Sequence, residues 1–398
     1  MGCLWWQAIA LVFVLSAVLN PKVFGRQKNP RPKREIQASE KLDLQADYRS
    51  LANLLLQAQQ GDRRAEMRIG IAFARGEGGE PNLREAARWF AEAAAGGDPR
   101  AQHNLGLMLY LGAGIERDLP MAAKWFEKAA AAGIPQAQFR AGTMYKNGVG
   151  VPQNYGRALA LLQQAAGQGL ADAEVVLGRM YEKGHGVARD YAVAMKWFTK
   201  SAKRGNAVGE YDLGAMYWNG EGVPQDYGQA AHWFQLAAEQ GNADAQRVLG
   251  CMYRDGRGVL PDLKKAEVWL LKAAQQGNAD AQNKLGLHYL RGQDATADNE
   301  LAAAWITKAA EQGDGHAQAN LASLFQVGRG VPRDLIQAYK WCLLSQRTAH
   351  EDRSKQLQAL TNMMIADDIA EAERMAAEWQ PHQDSVVEGE ASMIDLLQ

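Results

Sequence analysis

The chain is poor in cysteine. Its 398 residues hold three, Cys3, Cys251 and Cys342, which cannot build a disulfide framework, and no pair stands at zinc-ligand spacing. An excess of charge is also missing: 44 Lys and Arg face 45 Asp and Glu, with a pI near 6.7. Nucleic-acid partners, which call for a basic stripe or domain, are therefore not expected. Histidine is sparse, at seven residues, and no His-Glu-x-x-His occurs, so neither metal nor cofactor is expected. There is no Gly-x-Ser-x-Gly elbow for a nucleophile. Disorder is excluded in turn, because only 22 % of residues are charged while 47 % are hydrophobic.

A single long apolar run is present, Leu4 to Leu19, 16 residues without charge. As a helix it would rise ~24 Å, slightly short of a ~30 Å hydrocarbon core. A basic stretch follows, with Lys22, Arg26, Lys28, Arg31, Lys33 and Arg34. Two readings compete. A cleavable signal would use Pro21 as breaker and be cut near Gly25, delivering the protein to the periplasm or exterior. A retained single-pass anchor would keep the basic flank on the cytoplasmic side. The segment before the run has no Lys or Arg, which favours the anchor. Residues 1–25 are thus assigned to an anchor or signal segment and residues 26–42 to a basic polar linker.

What the chain has in abundance is internal repetition. Glycine recurs at Gly70, Gly106, Gly142, Gly178, Gly214, Gly250 and Gly286, with Ala322 in the eighth place. Tryptophan recurs at Trp89, Trp125, Trp197, Trp233, Trp269, Trp305 and Trp341, with Leu161 replacing it once. Both series step by 36 residues through eight units. A fixed period of this size denotes a stacked array and overrides a domain count based on length.

Each unit reads as two helices. Counting from Ala137 as zero, apolar or small residues at offsets 0, 4, 5, 7 and 8 line one side of a helix. Gly148-Val149-Gly150 ends it. An Asp or Asn then precedes the second helix in all eight units, from Asn82 to Asp334, which suits an N-cap. The Gly-x-Gly loops follow a helix rather than a strand and lack a Lys-Ser/Thr, so they end helices and do not cradle phosphate. Small Ala and Gly let the helices approach, while Trp and Tyr columns are expected to fill the gaps between units. The predicted fold is an all-α α-solenoid, a right-handed superhelix of about eight helix-turn-helix repeats over residues 65–349. Capping helices are expected at 43–64 and 350–381, and an acidic disordered tail at 382–398. Because contacts in such an array are local, the repeat body is expected to be monomeric.

The pattern Ala-Gln-x-x-Leu-Gly-x-Met-Tyr, Gly-x-Gly-Val, Asp, Ala-x-x-Trp-Phe, Ala-Ala and Gly resembles the Sel-one-like repeat (SLR) family. Ala173, Leu177, Gly178, Met180, Tyr181, Gly184, Gly186, Val187, Asp190, Ala194, Trp197, Phe198, Ala202 and Gly205 carry it in full. The resemblance implies a tetratricopeptide-like scaffold or adaptor, often attached to a membrane. Cysteine-rich members are linked to penicillin binding, but this chain lacks their cysteine pairs, so an enzyme of that kind ranks last.

Accounting for aromatics leaves four outside the core pattern. Phe139 and Tyr211 sit at offset 2, Tyr110 and Trp218 at offset 9, on the face opposite the core stripe. Offsets 2 and 9 are seven apart, so Tyr211 and Trp218 share one stripe. By analogy with tetratricopeptide superhelices this face would be concave and would bind a protein or peptide, with Arg179, Arg247 and Arg254 adding polar or cation–π contacts. The competing reading is that packing between successive first helices covers these rings.

Overall fold

A computed structural model of the chain describes residues 52–77, 79–292, 298–349 and 352–381. The apolar run at 4–19, the linker at 26–42 and the tail at 382–398 lie outside the described residues. Among those described, no strand occurs and no helix is long and apolar enough to cross a membrane. The chain divides by contacts at Leu170/Ala171 into two compact units.

Residues 52–170 open with a helical stretch over 52–59, whose Leu54, Leu55 and Ala58 are buried with Ala65 and Ile69. Three hairpins follow: Arg63–Arg75 (α1) with Leu83–Ala95 (α2), Pro99–Leu111 (α3) with Leu119–Ala131 (α4), and Pro135–Asn147 (α5) with Tyr155–Gly167 (α6). Residues 171–381 carry five more: Ala171–Lys183 (α7) with Tyr191–Lys203 (α8), Ala207–Asn219 (α9) with Tyr227–Glu239 (α10), and Ala243–Asp255 (α11) with Leu263–Gln275 (α12). Ala279–Arg291 (α13) pairs with Asn299–Glu311 (α14), and Gly315–Val327 (α15) with Leu335–Ala349 (α16). Two further helices, Ser354–Thr361 (α17) and Ala366–Glu378 (α18), pack on α16. Consecutive helices pack pairwise within each unit, the arrangement of an all-α solenoid.

The local signals act as expected. In each of the eight repeats the Asp or Asn side chain accepts from the backbone N–H three residues on, as Asp226 does from Gln229 at 2.9 Å. That satisfies an otherwise free amide, for ~1 kcal/mol. The first helices end on glycines in the left-handed region, such as Gly148 at φ 70°, where a side chain would be strained. A second set of caps went unread in the sequence: Asp62, Asp98, Asn206, Asn242, Asn278 and Asp314 cap the first helices in the same manner.

The recurring helix glycine has a specific counterpart. A Cβ on Gly106 would lie 2.9 Å from the Phe126 ring, on Gly142 2.8 Å from Leu162, and on Gly250 2.8 Å from Leu270. Each of these partners is the residue after the Trp position, and Phe90, Phe126, Leu162, Phe198, Leu270 and Ile306 are wholly buried. In the eighth repeat the buried partner is Cys342 and the glycine becomes Ala322: a smaller side chain on one helix leaves room for a methyl on the other. This corrects the role expected of the Trp column. Except for Trp341 the tryptophans are only half-buried, and a Lys one turn on rests on several of the rings, Lys128 over Trp125 at 4.0 Å and Lys200 over Trp197 at 4.2 Å. The gap filler is therefore the residue beside each Trp.

Successive repeats are joined by a glutamine ladder. Gln102, Gln138, Gln246, Gln282 and Gln318, all buried, donate to the carbonyls of Ala94, Ala130, Ala238, Ala274 and Ala310 at 3.0–3.3 Å. The side-chain carbonyls of Gln138, Gln246, Gln282 and Gln318 accept in turn from the end of the next second helix, as Gln246 does from Gln276 at 2.7 Å. An amide fits because it donates and accepts at once. At Glu210, 4 % exposed, a carboxylate fills the slot and accepts from Gln240 at 2.6 Å, but when ionised it has no proton to give back.

Candidate partner-binding face

A helix brings residues three, four and seven apart onto one face, and four such faces, from α7, α9, α11 and α13, carry the candidate residues of 171–381. Arg179 on α7 clamps Asp212 on α9 in bidentate fashion, at 2.8 and 3.0 Å. Asp212 is 12 % exposed; burial pushes its carboxyl up while the Arg179 guanidinium holds it partly back. One step along, Arg247 on α11 reaches Asp280 on α13 at 3.0 Å, and Lys284 meets the same carboxylate at 2.7 Å. Arg254 is paired with its neighbour Asp255 at 2.7 and 2.9 Å.

Tyr211 leans on the core ring of Phe234, centroids 5.5 Å apart at 49°, and its hydroxyl feels the opposed charges of Asp244 and Arg247. Burial, and secondarily Asp244, raises its pKa. Trp218 meets Tyr227 edge-on at 4.8 Å and Phe234 at 6.5 Å, with the Arg257 guanidinium 5.8 Å from its ring. Both rings remain half-exposed. Each therefore contributes packing while keeping part of its ring open to solvent.

Tyr110 and Phe139 belong to residues 52–170. Tyr110 packs half-buried on the cluster around Met108, and Phe139, also half-buried, accepts a hydrogen bond from Thr143 through its carbonyl. Of the seven candidates, the structure groups Arg179, Tyr211, Trp218, Arg247 and Arg254 on neighbouring first helices. It also pairs every one of the three arginines with an acid: Arg179 and Arg247 are struts between helices, while Arg254 holds its neighbour Asp255 on the same helix. Sequence reasoning missed Asp212 and Asp280. The signal was available: each lies 33 residues after its arginine, three short of the repeat.

Cys251, on the same face, is half-buried, and burial raises its thiol pKa. His103 is buried against Phe126, 5.6 Å between rings, with no partner for Nδ1. Burial, then Arg140, pushes its pKa down to about 4. Among the described residues no three His, Cys, Asp or Glu side chains converge as a metal site would require.

Comparison with known proteins gives a consistent family. The Sel1 repeat matches eight consecutive segments, residues 63–98, 99–134, 135–170, 171–206, 207–242, 243–278, 279–314 and 315–345. Comparison with curated proteins yields no match. Among solved structures, the chain is similar to a Sel1 repeat protein from Oxalobacter formigenes, with 31 % identity and a TM-score of 0.62 over 88 % of this chain and 100 % of that one. A protective antigen with an SLR fold from uropathogenic Escherichia coli is 28 % identical, with a TM-score of 0.45 over 89 % of this chain and 93 % of that one.

Proposed function

The chain belongs to the Sel1 repeat family, and from that premise we propose that it is a non-catalytic scaffold binding a protein or peptide through the first-helix face of its fourth to sixth repeats. Proteins of this family act as scaffolds for protein interaction. The observation that carries the assignment is the pair Tyr211 and Trp218, half-exposed rings on one helix stripe. The ion pairs Arg179–Asp212 and Arg247–Asp280 stand beside them. Aromatic anchors ringed by arginine are the usual centres of protein interfaces, and truncating one costs ~2 kcal/mol or more of affinity.

Because both rings also touch Phe234, their loss affects stability as well as binding. Two variants separate the effects. Tyr211→Ala with Trp218→Ala removes the anchors, while Arg254→Glu reverses a charge on the same face, giving up its pair with Asp255 but leaving both rings in place. Partners captured from native cells by the parent protein and lost with both variants support the assignment. Capture unchanged in both, with only the double variant less stable, refutes it.

The same reading attaches the protein to a membrane through residues 4–19, on the strength of the uncharged run and its basic flank. The intact mass of protein recovered from membrane and soluble fractions is the test. A full-length membrane-bound species supports attachment; one lacking roughly the first 25 residues means export and overturns it.

A further inference from the structure

The end of the repeat array reveals what a groove between its second helices accepts. In the eighth repeat the segment after α18 folds back over Gly313: a Cβ there would touch Pro381 at 3.6 Å and Trp379 at 3.9 Å. Trp379 stands edge-on to Trp341, centroids 6.0 Å apart at 73°. Arg347 donates to the Ala376 carbonyl at 3.2 Å, gripping the end of α18. The seat of this Trp-Gln-Pro segment is thus made of a left-handed glycine, a tryptophan and the residue six beyond that tryptophan.

One repeat earlier the same seat is built and open. Gly277, Trp305, Glu311 and Gln312 stand 36 residues before Gly313, Trp341, Arg347 and Thr348. With Gln275 and Gln276 they line a cavity of about 570 Å³, a size usual for ligand pockets. Nothing lies within 4 Å of a Cβ on Gly277. Lys308 rests on the Trp305 ring at 4.5 Å, which does not close the seat, since Lys340 rests on Trp341 at the same 4.5 Å and Trp379 docks there nonetheless. The decisive difference is charge. Where Arg347 holds a carbonyl, Glu311 presents an exposed carboxylate; Lys340 interacts with it but is engaged on the Trp341 ring, which leaves room for a cation on the incoming segment.

We propose that the groove over Gly277 is a second docking site, distinct from the first-helix face, for a partner segment with an aromatic residue, a proline two positions later and a basic residue beside the aromatic. The occupant mimics this chain's own Trp379–Pro381, with a basic residue added beside the aromatic because this seat carries Glu311 in place of Arg347.

The test titrates the full-length protein into a labelled peptide of residues 366–381 carrying Glu378→Lys, followed by fluorescence anisotropy. Saturable binding is expected, weakened about tenfold by Glu311→Arg and by Trp305→Ala in the protein, and by Trp379→Ala in the peptide. Glu311 is exposed, so its variant keeps the fold even if Trp305→Ala does not. Unchanged binding to the Tyr211→Ala, Trp218→Ala protein is also expected, which separates this site from the first-helix face. Absence of saturation up to ~1 mM peptide, or equal affinity for the Glu311→Arg protein, overturns the proposal. Equal binding of the unaltered peptide, with self-association of the full chain, overturns it in favour of a second copy.

Discussion

Replacing Gly178 by Ala tests the packing rule on which the array depends. A methyl on Gly178 would fall 2.6 Å from Cδ1 of Phe198 and closer still to Cε1. Carbon atoms rest at about 3.5–4.0 Å, so the ring would have to withdraw by roughly 1 Å. Phe198 is 0 % exposed and has no free direction in which to move. Overpacking of this kind costs about 1–3 kcal/mol, while exchanging Gly for Ala in a helix returns up to ~1 kcal/mol. The expected net loss is about 1–2 kcal/mol, read as a lower urea midpoint. Because repeat arrays can unfold in parts, hydrogen exchange across α7 and α8 should register the loss locally. Gly167→Ala is the control: it sits at the end of α6 with nothing within 4 Å of its Cβ and should gain a few tenths of a kcal/mol. The eighth repeat supplies the compensating pair. Cys342→Phe alone should destabilise against Ala322, and adding Ala322→Gly should recover the loss, with a coupling energy of about 1 kcal/mol or more. If Gly178→Ala stabilises as Gly167→Ala does, or if the two eighth-repeat changes are additive, the glycine–ring argument is wrong.

Two further outcomes follow from groups buried off-pattern. Glu210→Gln should stabilise the protein by about 1 kcal/mol at neutral pH, because the amide restores the donor its slot uses elsewhere and removes a buried charge. Burial raises the folded pKa of Glu210 above 4.5, so the charged form is penalised above that value; the advantage of the variant should therefore fade as pH drops toward 4.5, and a constant difference across the range would refute the explanation. His103, with its folded pKa pushed down to about 4 from 6.5, is held neutral in the fold. The unfolded chain binds the extra proton between those values, so stability should fall as pH drops from 6.5 toward 4, by at most about 3 kcal/mol. His103→Met, which copies Met67 at the same place in the first repeat, should flatten that part of the curve in pH-dependent denaturation; an unaltered curve would show that His103 does not control it.

The architecture was legible because it is written locally and eight times over. Helix caps at Asp226 and its counterparts, left-handed stops such as Gly148 and the 36-residue period depend on neighbours within a few positions, and repetition turns weak signals into firm ones. The same bookkeeping exposed Tyr211 and Trp218 as residues the core does not account for. How deep a ring sinks was not legible. Trp and the residue after it are adjacent and both apolar, and only the approach of the first helix at its glycine decides that Phe198 is sealed while Trp197 stays half-exposed.

What the sequence by itself determined is therefore the repeat, its helices and the end of each helix, all consequences of hydrogen bonding and sterics within a short stretch. What only the tertiary structure decided are the pairings across repeats: Arg179 with Asp212, Gln246 with Ala238, Trp379 with Trp341. These join groups 8 to 38 residues apart, and their energy depends on separations of a few ångströms. A periodic pattern says which positions recur, but a hydrogen bond or ring contact exists only once stacking has set the distance.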